Sequence, residues 1–125
     1  MQMVLLDVEK KNLSVVDPES YEERCLLLGA ENTETFHVHI RGVGFHLITD
    51  DEACLVQNPK VSAITSDGEF LFYGNLLIAG EDDEEGEYTA VSDEAVEVLR
   101  NCCKVLPTIL NPEGCCMLTN VELDY

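Results

Sequence analysis

Residues Phe36 to Ile48 read FHVHIRGVGFHLI, and the alternation in this stretch decides the fold class. Phe36, Val38 and Ile40 alternate with His37, His39 and Arg41. A period of two belongs to a strand with one buried face. Gly42 followed by Val43 fits a two-residue turn of type II′, which takes glycine first. That turn predicts Ile40 opposite Phe45, Val38 opposite Leu47 and His39 opposite His46. Apolar partners then share one face and histidines the other, which is the consistency a register needs.

Working outward, Met3 to Val8 (MVLLDV) predicts a strand, Lys10-Lys11-Asn12 a turn, and Leu13 to Val16 a second extended piece. Asp17-Pro18 predicts a helix start, with Tyr21, Cys25 and Leu28 at helical spacing and Gly29 as the C-cap. Downstream, Val61 to Thr65 predicts a short strand and Asp67-Gly68 a turn. The run Phe70 to Ala79 (FLFYGNLLIA) predicts one central strand bulged at Gly74. Tyr88 to Val91 predicts another brief strand. Ser92 caps a second helix whose apolar stripe is Ala95, Leu99, Cys102 and Leu106, ended by Pro107. In the tail, Asn111-Pro112-Glu113-Gly114 predicts a turn between short extended pieces. The expectation is an α+β single domain over 1–125, mostly antiparallel sheet with a central hairpin and two helices, at about 18–28 and 93–105.

The chain is strongly acidic, with 25 Asp and Glu against 7 Lys and Arg and a net charge of −18. Such a field repels nucleic acids and anionic membranes, and draws basic surfaces in a salt-dependent way. Direct nucleic-acid binding and membrane association are therefore not expected. No apolar run approaches the length of a membrane span, and Met1 to Leu6 is too short for a signal peptide, so a cytoplasmic protein is expected. Six cysteines then read as free thiols, mostly buried small apolar residues. The adjacent pairs Cys102-Cys103 and Cys115-Cys116 lack the spacing of a zinc site.

Three sets of residues bear on function. His37, His39 and His46 could meet on one sheet face and bind a divalent metal, although no fourth ligand is identifiable. The acidic run Glu81, Asp82, Asp83, Glu84, Glu85, Gly86, Glu87 resembles a calcium loop only loosely, since its first and last liganding positions are wrong. No P-loop, dinucleotide fingerprint or nucleophile elbow occurs, so neither an enzyme nor a cofactor is expected. What remains is the acidity itself. Between Asp50 and Glu97 stand fourteen acidic residues and one base, Lys60. Asp50, Asp51, Glu52 and the carboxylates of Glu81 to Glu87 are the candidate partner-binding surface.

Several marks follow one another in a recognisable order. They are Leu27-Leu28-Gly29, Ile48-Thr49-Asp50-Asp51-Glu52, Asn58-Pro59, Gly74-Asn75-Leu76-Leu77-Ile78-Ala79-Gly80 before an acidic stretch, and a Ser-Asp-Glu helix start at Ser92. Over roughly residues 13–105 the chain resembles a small acidic family of unknown function, common in phages and mobile elements of gut Firmicutes. That resemblance implies an accessory protein of a virus or mobile element, acting in the host cytosol. It carries no activity and no catalytic residues. The expected function is protein–protein binding, as an anti-defence inhibitor that imitates nucleic-acid charge and blocks the basic groove of a nucleic-acid-binding protein. The alternatives are a small-ligand protein that sequesters a signalling nucleotide, and a histidine-based metal module.

Overall fold

The computed structural model describes residues 1–81 and 88–123, with the side chain of Cys54 outside that set. Among them, strands β1 (Met3–Asp7), β2 (Asn12–Val16), β3 (Thr33–Ile40), β4 (Val43–Asp50), β7 (Leu76–Ala79) and β10 (Val121–Leu123) form one sheet. Its order is β10-β3-β4-β7-β1-β2. A second sheet has the order β6-β5-β9-β8, from β5 (Val61–Ile64), β6 (Phe70–Tyr73), β8 (Cys103–Leu106) and β9 (Cys115–Leu118). All pairings are antiparallel except β5 with β9. The α+β class and the two helices, α1 (Tyr21–Leu28) and α2 (Asp93–Cys102), stand as expected. The single sheet is corrected to two.

The core lies between the sheets. Val4, Leu6, Val38, Ile40, Phe45, Leu47, Leu76 and Ile78 face Ala63, Phe72, Cys116 and Leu118, with α2 contributing Ala95, Val96, Leu99 and Cys102. The opposite face of the larger sheet packs Met3, Ile48, Leu77 and Ala79 against Leu28 of α1. Strand β7 is therefore buried on both faces, and all four of its residues are 0% exposed. This burial explains an apolar run that does not alternate.

Each departure from the sequence reading has a local cause. The hairpin turn is Arg41-Gly42, not Gly42-Val43, with φ of 51° and 80°. Positive φ at both central residues is the type I′ geometry that matches strand twist. The register becomes Val38 opposite Phe45, Phe36 opposite Leu47 and His37 opposite His46, while His39 faces Gly44. The slip is two residues, so every side chain keeps its face. The run Phe70 to Ala79 is two strands in different sheets. Gly74, at φ 77°, turns the chain between them and donates to the Lys60 carbonyl at 2.9 Å. The Asn75 side chain accepts from the Val8 amide at 2.9 Å and ties that turn to the end of β1.

Helix α1 begins at Tyr21, not residue 18, because Ser20 is its N-cap and accepts from the Glu23 amide at 3.2 Å. Gly29, left-handed at φ 67°, closes it as expected. Helix α2 keeps its Ser92 cap but stops at Cys102, short of 105. Thr119 donates to the Cys102 carbonyl from both its amide (2.8 Å) and its hydroxyl (2.9 Å), satisfying a helix-end acceptor. Residues 103–106 leave the helix to pair with β9. The residues of 88–91 make a single bridge at Tyr88 instead of a strand.

Gly80 follows β7 and lies against this segment, its amide donating to the Thr89 carbonyl at 2.9 Å. A Cβ there would lie 2.7 Å from the Ala90 carbonyl oxygen and 2.5 Å from Thr89 Oγ1. Backbone cannot yield as a side-chain tip does. G80A is expected to cost about 1–3 kcal/mol, measured as a lower urea midpoint with an unchanged slope. A wild-type midpoint would show that this contact is looser than described.

Candidate functional site

Two clusters of polar side chains are built by the strand phases. The first lies on the face of the larger sheet that α1 covers. His37 and His46 are direct cross-strand partners with ring centroids 5.0 Å apart, and His39 is 5.3 Å from His37. The three histidines thus gather on one sheet face, although His37 replaces His39 as the partner of His46. The Tyr88 ring meets that of His46 at a tilt, centroids 5.3 Å apart, and its hydroxyl lies 2.7 Å from Thr35 Oγ1. Arg24 of α1 sits 5.6 Å from the Tyr88 ring centre. Glu81 reaches over Gly44 to bring Oε1 within 4.0 Å of His37 Nε2.

Gathering is not coordination. Among the described residues, no three His, Cys, Asp or Glu side chains are placed to hold a metal ion. The rings meet tilted (36° between His37 and His46) or edge-on (68° between His37 and His39). The arrangement reads as a packed aromatic and carboxylate network that fastens Glu81 and Tyr88 to the sheet.

The second cluster is a cavity of about 300 Å³ at the end of the two sheets. Its walls are Phe36 and Leu123 of the larger sheet and Leu71, Phe72 and Tyr73 of β6. The Phe36 and Phe72 rings meet with centroids 4.9 Å apart. Glu34, Asp50 and Asp51 line the same cavity. Glu34 follows the inward phase of Phe36, Val38 and Ile40, while Asp51 continues that of Phe45, Leu47 and Thr49. Glu34 and Asp51, both exposed, therefore stand on the core-facing phase where the sandwich opens, and Asp50, on the opposite phase with His46 and Ile48, lines the same cavity. Among the described residues, Glu34, Asp50 and Asp51 have no cation within salt-bridge distance. The Asp50 carboxylate accepts a local bond from the Glu52 amide at 3.0 Å.

Of the expected partner-binding residues, Asp50 and Asp51 belong to this cavity and Glu52 is exposed beside it. Glu81 belongs to the histidine cluster instead. Asp82, Asp83, Glu84, Glu85 and Glu87 lie outside the described residues. The sequence reading missed Glu34 and the apolar walls. One signal was present: an acid at the position where the alternation of Phe36, Val38 and Ile40 calls for an apolar residue. No helix among the described residues is long and apolar enough to cross a membrane. Comparison with protein-family models, with curated proteins and with solved structures gave no match.

Proposed function

We propose that this protein acts by binding a basic protein, and that the carboxylate-lined cavity takes a lysine or arginine side chain of that partner. The observation that carries the reading is that Glu34, Asp50 and Asp51 line one apolar-walled cavity with no cation within salt-bridge distance among the described residues. An arginine or lysine has the matching anatomy, an apolar stem and a cationic head. The stem lies along Phe36, Leu71 and Leu123, and the head reaches the carboxylates. A net charge of −18 steers the encounter over longer distances.

The finer reading is that the partner is a nucleic-acid-binding protein, whose basic groove accepts these carboxylates in place of phosphates. The resemblance to small acidic proteins of phages and mobile elements supports an anti-defence role of this kind. A signalling-nucleotide ligand fits less well, because an anionic ligand would meet carboxylates at the cavity. The histidine cluster offers metal no assembled ligand set among the described residues.

Immobilised protein incubated with bacterial lysate tests the class of partner. Retention of one nucleic-acid-binding protein, released by salt and by competing DNA, is the expected result. Diffuse retention of many basic proteins, unaffected by DNA, would reduce the acidity to a solubility device.

A further inference from the structure

Two cysteines outside both clusters lie against each other. Cys103 opens β8 and Cys116 lies on the adjacent β9, and their sulfurs are 3.2 Å apart. Sulfurs in a disulfide are about 2.05 Å apart, so bonding needs an approach of about 1 Å. Cys103 is half-buried and Cys116 is 1% exposed. The neighbouring thiols differ, since Cys102 and Cys115 are both 0% exposed. Hydrogen bonding from Cys116 lowers the Cys103 pKa, with Lys104 acting in the same sense and burial opposing both. The Cys116 pKa is raised, first by that hydrogen bond to Cys103 and then by burial. An accessible attacking sulfur thus sits against a protected resolving one.

We propose that Cys103 and Cys116 form a reversible dithiol–disulfide site, oxidised by exchange with a low-molecular-weight disulfide such as oxidised glutathione. The Cys103 thiolate attacks one glutathione sulfur. A Cys103–glutathione bond forms, the glutathione disulfide breaks, and one glutathione leaves as thiolate and takes up a proton. Cys116 then gives up its proton and attacks the Cys103 sulfur, expelling the second glutathione. The protein loses two electrons and two protons, and the glutathione disulfide gains them. The bond ties β8 to β9 and closes a loop whose tip carries Ile109 and Leu110, 100% and 64% exposed.

The test incubates the reduced full chain with oxidised glutathione, quenches it in acid, alkylates it and maps the peptides. A peptide pair joined through Cys103 and Cys116, with the sulfurs assigned by fragmentation, is the expected product. It should revert fully with dithiothreitol. C116S is expected to stop at Cys103 carrying one glutathione, while C102S and C115S still form the bond. Fragmentation of the wild-type product keeps the outcome independent of how the variants fold. A wild-type product that ends as a mixed disulfide would overturn the proposal, as would a bond through Cys102 or Cys115.

Discussion

F45A is expected to destabilise this protein by about 3–5 kcal/mol. Phe45 is 1% exposed and stands opposite Val38 on the inner face of the larger sheet. It belongs to the cluster that joins both sheets and α2. Truncation removes the burial of an aromatic ring and leaves a void that strands on both sides resist closing. Total stability of a domain this size is of order 5–15 kcal/mol, so the loss is a large fraction of the whole. Thermal unfolding should fall by more than about 10 °C. Val15, 48% exposed on edge strand β2, supplies the contrast. V15A should change stability by no more than about 0.5 kcal/mol. Equal effects at the two positions would mean that the inter-sheet core is not where the chain holds itself together.

The second large effect concerns binding. E34Q/D50N/D51N keeps the size of each side chain and removes its charge. The triple variant is expected to bind an arginine-rich peptide roughly 10- to 100-fold more weakly than wild type, or about 1.4–2.8 kcal/mol. Folding should survive, since none of the three carboxylates takes part in an ion pair among the described residues. The control is E22Q/E94Q/E97Q, with the same change of net charge on exposed positions of α1 and α2. It should weaken binding only through the diffuse field, by a few-fold, and the difference from wild type should shrink at high salt. Isothermal titration of both variants separates a site from a charge. Equal losses would leave the cavity no special part.

How much of this was legible can be seen at particular residues. The alternation of Phe36, Val38 and Ile40 against three polar residues established a strand and its buried face. It could not choose between registers two residues apart, because both keep every face. The choice fell to the turn, where Arg41 takes a left-handed conformation that its side chain does not advertise. The run from Phe70 to Ala79 misled for a different reason. Apolar residues on both sides of Gly74 look continuous, and only the partners, β5 on one side and β4 with β1 on the other, divide them. The helix from Ser92 was read correctly to Cys102. Beyond it, Leu106 continued the apolar stripe but pairs with Cys115, a contact from a segment that the helical pattern does not include.

The candidate site divides in the same way. Composition announced the acidic surface, and Asp50 and Asp51 were among its named residues. The cavity depends on Leu71, Phe72 and Leu123 arriving from other elements, which no local pattern encodes. Glu34 was the exception, a charge standing on an apolar phase in plain view. The histidines were correctly placed on one face, but their ring-to-ring packing follows from the register.

The central claim is that the cavity between β3, β4 and β6 receives a basic side chain. A nitrogen–proton correlation NMR titration with an arginine-rich peptide tests it most directly. The account predicts saturable shifts concentrated at Glu34, Phe36, Asp50, Asp51, Leu71 and Leu123, suppressed by salt and needing roughly 10- to 100-fold more peptide in E34Q/D50N/D51N. Shifts spread evenly over exposed carboxylates on both helices and all strands, unchanged by the triple substitution, would contradict it.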